Sequence, residues 1–159
     1  MQSYSKLQVI LHWLTVLIIA AQFVFHDAIS AAFRATMRGQ EAEITAMVPA
    51  HVWGGVIVLL LTLWRLSLRL THGAPPSPEP SSPAREMVAK LTHVGIYGLL
   101  VLLPISGSVA WFLGVGNAGE AHEILKTILL VLVVLHVLAA LYHQFVLKNG
   151  LMTRMSLRG

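Results

Sequence analysis

Four apolar runs, at residues 7–25, 48–70, 88–113 and 124–147, constrain this chain more than any other feature. Each is long enough to cross a hydrocarbon layer about 30 Å thick as a helix. Backbone groups in lipid must be satisfied within the segment itself, so helices are expected, and no alternation of ten-residue segments suggests a barrel. With 56% hydrophobic and only 11% charged residues, a chain of this length cannot hide its apolar surface in a water-soluble core, where about a quarter of residues are charged. The expected fold is therefore all-α, an integral membrane four-helix bundle in one transmembrane domain over residues 1–159, set in a lipid bilayer. No feature calls for nucleic acid as a partner.

The basic residues at the ends of the spans sort to one side. Lys6, Arg65, Arg69, Arg85, Lys90, Lys148, Arg154 and Arg158 fall together, while Arg34, Arg38 and Lys126 fall opposite. The positive-inside rule then places both termini in the cytoplasm. The acidic residues Asp27, Glu41, Glu43, Glu120 and Glu123 lean outward, with Glu79 and Glu86 inside. The Pro-rich stretch 73–83 reads as an extended cytoplasmic linker. Lys6 and the first apolar run also fit a cleaved signal peptide. However, His12 interrupts that run and the small residues Ser30-Ala31-Ala32 lie beyond His26 and Asp27, so span one is expected to stay.

Cysteine is absent, which removes thiolate-held iron–sulfur clusters and covalent haem attachment through Cys-x-x-Cys-His. Histidine is the chemistry that remains. His26 and His72 sit just past the ends of spans one and two, as interfacial polar residues do. The other six, His12, His51, His93, His122, His136 and His143, lie in spans or their first turns, where ionisable side chains are uncommon and usually functional.

Spacing separates a bare metal ion from a macrocycle. His122 and His136 are fourteen residues apart, which returns to within about 40° of the same helical face but about 21 Å along the axis. One ion cannot bridge that distance, whereas two b haems at different depths can take one residue each. Depth matching pairs His51 with His122 on the outer side, and His12 with His136 toward the cytoplasm. His143, seven residues after His136 and on nearly the same face, is a rival partner for His12. That choice would put the haems about 31 Å apart along the axis, the whole thickness of the hydrocarbon, so His136 is preferred and His143 becomes a second-sphere or substrate-site residue. His93 faces the same region, and interhelical hydrogen bonding is the plain alternative for both.

Gly54, Gly55, Gly95, Gly98 and Gly107 permit close approach of a flat porphyrin, or simply of another helix. Arg65 and Arg69, four apart near the cytoplasmic end of span two, can neutralise propionates of the inner haem or act as positive-inside anchors. Gly114-Val-Gly116-Asn-Ala-Gly119 spells the dinucleotide fingerprint, but a loop between membrane spans lacks the strand and helix that give it meaning. His122-Glu123 lacks the second histidine of a zincin.

Taken together, these residues resemble the bacterial cytochrome b561 family along nearly the whole chain. The resemblance rests on Tyr4 to Lys6 leading into His12-Trp13, His51 opening span two, and Arg65-x3-Arg69-Leu70. It continues through His93-x3-Tyr97, Leu103-Pro104-Ile105-x-Gly107 and His122-Glu123-x12-His136-x6-His143. It implies two non-covalent haems b with His12, His51, His122 and His136 as axial ligands to iron, and a cytoplasmic-side quinone site near His93 and His143. It also implies the inner membrane of a bacterium as location. One branch of that family oxidises superoxide on the periplasmic side and passes electrons to ubiquinone, and an outer basic surface would steer the anion there. The rival expectation is an anchor wiring a partner dehydrogenase or a small periplasmic redox carrier to quinone. A haem-free structural bundle fits poorly with six intramembrane histidines.

Overall fold

The computed structural model describes residues 3–73, 75 and 82–157, and within them there are helices and no strands. The order is α1 (Lys6–Val24), α2 (His26–Met37), α3 (Met47–His72), α4 (Pro83–Leu113), α5 (Gly116–Phe145) and a final 3-10 turn, Met152–Met155. Helices α1, α3, α4 and α5 are each long and apolar enough to cross a membrane. Most of the Pro-rich 73–83 stretch lies outside the described residues.

Local chemistry sets several of the ends. Ser5 caps α1 through a reciprocal pair with Gln8: its Oγ accepts the Gln8 amide at 3.2 Å, and the Gln8 side chain accepts the Ser5 amide at 3.1 Å. Together they satisfy two donors that a helix start leaves orphaned. Ser82 caps α4 with Pro83 at its first position, where a missing N–H costs nothing. Gly114 closes α4 in the left-handed conformation at φ 65°, open to glycine because it lacks a Cβ. At about 1.5 Å per residue, the 31 residues of α4 outrun the hydrocarbon. Its first turns, with Arg85, Glu86 and Lys90, therefore stand in the interface.

Helix α2 was not expected. It follows α1 with only Phe25 between them, and its apolar residues Ile29, Ala32, Phe33 and Met37 recur at three- and four-residue steps, the signature of one helical face. Ala32 is buried, and α2 packs on α3.

The spanning helices pack in sequence, α1 on α3, α3 on α4, and α4 on α5. Their shared core is Val58, Leu99, Leu100, Leu103 and Leu129, flanked by Ile18, Ile19, Phe23, Leu125 and Leu132. Outward, Leu70 and Phe145 are 77% and 69% exposed, which suits lipid and not water. Inward, packing is sparse: α5 buries only Leu129 among its thirty residues. Close packing is the norm for protein interiors, so this bundle leaves space along its axis.

Both chain ends meet at one end of the bundle. Trp13 Nε1 donates to the Met155 carbonyl at 2.9 Å, and the Gln8 side-chain amide to the Gly73 carbonyl at 3.4 Å. This is the terminal end of the bundle, and the end covered by α2 is its far end.

Candidate functional site

At the far end, His51 in the first turns of α3 and His122 in the second turn of α5 turn toward each other. Their ring centroids are 6.4 Å apart, with planes at 67°. Two imidazoles bound through Nε2 on opposite sides of one metal, each at about 2.0–2.1 Å, bring their centroids to about 6.3 Å. The observed spacing matches that requirement.

The nitrogen left free on His122 is set by its neighbours. Nδ1 lies 2.9 Å from the Leu103 carbonyl and 3.2 Å from Ser106 Oγ, and Ser106 Oγ itself donates to Leu103 at 3.0 Å. A carbonyl only accepts, so His122 Nδ1 carries the proton and Nε2 keeps its lone pair, the tautomer a metal ligand needs. The accepting carbonyl precedes Pro104, which lies inside α4. Gly107 makes room for the ring: a Cβ there would stand 3.0 Å from His122 Cε1 and 3.1 Å from Nδ1.

Space opens on both sides of this pair. A cavity of about 560 Å³ lies between α2, α3, α4 and α5 and is lined by His51, Gly55, Gly107, His122 and the α2 side chains Phe33 and Arg34. That size is within the roughly 300–1,000 Å³ usual for cofactor sites. A smaller apolar cavity continues toward α1, bounded by Ile19, Phe23, Val58, Leu100 and Leu129, and shares His51, Gly55, Pro104, His122 and Lys126 with the first. A Cβ on Gly55 would meet nothing within 4 Å. The slot thus has a polar mouth under α2, with Arg34, Arg38, Glu120, Glu123 and Lys126, and an apolar inner end. An amphiphilic macrocycle with carboxylates on one edge has that pattern. Lys126 is paired with Glu123.

Gln22 is the neighbour that sequence reading missed. Its side-chain amide donates to the His51 carbonyl at 3.0 Å, while its Oε1 and His51 Nδ1 are both buried without a hydrogen-bond partner.

The terminal end gathers a second group. His93 and His136 rings stack edge to face at 5.3 Å, and His93 Nδ1 donates to the Ala89 carbonyl at 2.7 Å. His12, His93 and His136 lie within electrostatic reach of one another and of Arg65. Arg65 Nη2 donates to His12 Nδ1 at 2.9 Å, and its guanidinium sits 5.7 Å from the Tyr97 ring centroid. A guanidinium has no acceptor, so in this arrangement the His12 proton is on Nε2. Arg69 adds charge near Arg65 and His93. His143 is held separately, by Asn149 Nδ2 at 2.8 Å. Among the described residues no three His, Cys, Asp or Glu side chains converge as a set for a bare metal ion. The histidines are gathered at two depths instead.

A profile of the prokaryotic cytochrome b561 family matches residues 3–157. The chain belongs to that family. Among curated proteins, cytochrome b562 of Cereibacter sphaeroides is 31% identical, with 96% of this chain and 94% of that protein aligned. A probable superoxide oxidase CybB of Yersinia pestis is 29% identical over 97% and 96% of the two chains. Cytochrome b561 homolog 1 of Escherichia coli is 27% identical over 98% and 97%. A cytochrome b561-family chain is a membrane cytochrome b, an electron-transfer protein whose cofactor is haem b. The far-end slot has the donor set, spacing and shape to take that group.

Proposed function

We propose that this cytochrome carries two haems b and moves electrons across a bacterial inner membrane, from superoxide at the periplasmic far end to ubiquinone at the cytoplasmic terminal end. The observation that carries the reading is the gathering of histidines at two depths, the His51–His122 pair at one and His12, His93 and His136 at the other. Bound haem b supplies one-electron chemistry at an iron with no open position when two histidines hold it, so donors and acceptors work at its edge.

The chain's own residues then divide the work. His51 and His122 hold the outer group, and the Leu103 carbonyl keeps the proton of His122 on Nδ1. With its Nε2 committed, His51 would have one donor left, Nδ1–H, and Gln22, already bonded to the His51 carbonyl, carries a buried acceptor, Oε1, that like Nδ1 has no partner of its own. Gln22→Leu should weaken retention of one haem by about 10-fold, the scale of such outer partners, with Gln22→Glu retaining it. Haem titration of the apoprotein reads the difference.

His12 and His136 hold the inner group. A carboxylate brought against Arg65 or Arg69, such as a propionate, competes with His12 for the Arg65 guanidinium. His12 would act as a ligand through Nε2 only with its proton on Nδ1, which requires Arg65 to give up its bond to that nitrogen.

At the mouth under α2, Arg34 and Arg38 attract an anion. Two superoxide ions each give up one electron and leave as dioxygen, and ubiquinone takes both electrons with two protons to become the quinol. The basic residues of the terminal end, on the inside by the positive-inside rule, give the orientation.

Glu120 and Glu123 line the same mouth, and they favour a second reading in which a cationic periplasmic protein, or a partner dehydrogenase, delivers the electrons. Superoxide supplied to purified protein with a ubiquinone analogue, and no partner, separates the two. The oxidase reading expects haem reduction faster than spontaneous dismutation, and slower as ionic strength screens the arginines. No reduction would sink it in favour of the partner-fed carrier.

A further inference from the structure

The last residues of the chain return over the end of α5. Lys148, at φ 52°, takes the left-handed conformation that non-glycine residues rarely adopt, and Gly150 follows at φ 69°. Two amides on either side of Lys148 turn back onto the helix, Leu147 to the Tyr142 carbonyl at 3.1 Å and Asn149 to the His143 carbonyl at 3.3 Å. The turn buries Asn149, which is 7% exposed, an unusual place for a side-chain amide. Beyond it, the 3-10 turn is tied to α1 by the bond from Trp13 to Met155.

The hydrogen bonds of Asn149 settle which atom faces which. The Leu151 amide can only donate, and it lies 3.3 Å from Asn149 Oδ1, so that oxygen is the acceptor in the turn. The other end of the amide, Nδ2, therefore faces His143 Nδ1 at 2.8 Å. An NH2 group only donates, so His143 Nδ1 accepts. A neutral imidazole with an accepting Nδ1 carries its proton on Nε2. His122 and His93 stand the other way round, with Nδ1 donating to a backbone carbonyl. His143 is thus held in the opposite tautomer, presenting a donor where those two present a lone pair.

We infer that Asn149 is a positioning residue that locks His143 as an Nε2–H donor for a carbonyl oxygen, the hydrogen-bonding group of a quinone. The inference rests on the proposed quinone reduction at the terminal end and deepens it. A donor aimed at a quinone oxygen stabilises the charge that develops there as electrons arrive. The turn through Lys148 is what brings the amide to the ring.

Asn149→Asp tests this with little change of shape. Its carboxylate still accepts the Leu151 amide, but it can only accept from His143, so the ring must carry its proton on Nδ1. Nitrogen-15 NMR of histidine-labelled protein, with His143 assigned by its loss in His143→Gln, reads the tautomer directly. The expected result is a protonated Nε2 and bare Nδ1 in the unmodified protein, and a protonated Nδ1 in Asn149→Asp. The KM for a short-chain ubiquinone analogue should rise at least several-fold, with haem content unchanged. Asn149→Leu, which offers no partner, should give a mixture of tautomers and an intermediate KM, and its haem content reports whether the bundle is intact. A His143 that already carries its proton on Nδ1, or a tautomer that Asn149→Asp leaves alone, would overturn the role of Asn149. A tautomer that reverses with no change in KM would instead overturn the placing of quinone at His143.

Discussion

Protein purified with His122→Ala, or separately with His51→Ala, should hold one haem b per chain, and the unmodified protein should hold two. The two rings stand 6.4 Å apart, and in the apolar slot no other histidine is placed to substitute for either. His26, the nearest alternative on the cavity wall, has its Nδ1 on the Phe23 carbonyl at 2.9 Å and its Nε2 beside Asp27. Loss of an outer hydrogen-bond partner alone costs about 10–100-fold in affinity, so loss of the ligand itself should empty the site at micromolar haem. The readout is the pyridine haemochrome stoichiometry with a reduced-minus-oxidised spectrum. His136→Ala, at the other depth, should remove the other haem, and the two single-haem spectra should sum to that of the unmodified protein. Two haems retained in both far-end variants would remove His51 and His122 from the ligand set. One haem in the fully reconstituted unmodified protein would end the two-haem reading.

The parts of this arrangement legible in the sequence are those that depend on period and depth. Long apolar runs can only be helices in lipid, and a helix converts residue number into depth at a fixed rise. That is why the sequence spacing alone puts His51 and His122 at one level. What could not be read depends on direction at the ends of helices. Helix α2 is short and mixes Ala, Ser and Thr with its few large apolar residues, so a search for spans passes over it. Its signal was the three-to-four spacing of Ile29, Phe33 and Met37. Arg65 was readable as a cation near the cytoplasmic end of span two, but the bond to His12 depends on side-chain conformation across two helices. The return of Asn149 to His143 turns on one left-handed lysine, and lysine carries no sequence signal for that conformation. Depth and the family resemblance group His93 with His143, whereas the structure places His93 against His136 and gives His143 a partner of its own.

Gly107→Leu should remove the same haem as His122→Ala while leaving every histidine in place. The expectation follows from the contact at that position: even a bare Cβ would stand 3.0 Å from the His122 ring, closer than nearly all real Cβ contacts. An alanine can be absorbed by a ring shift of a few tenths of an ångström, so Gly107→Ala should keep two haems and lose only affinity. A leucine adds three more carbons in the direction of the slot. The His122 ring must then swing away, which breaks its bond to the Leu103 carbonyl and with it the constraint that keeps Nε2 unprotonated. Overpacking of this kind costs about 1–3 kcal/mol, which four apolar membrane helices tolerate, so the chain should still be recovered folded with its inner haem. Haem stoichiometry near one with unchanged yield is the expected outcome. Two haems in Gly107→Leu would mean that the His122 ring does not need the place it holds here, and the far-end slot would lose its claim to be shaped around that ligand.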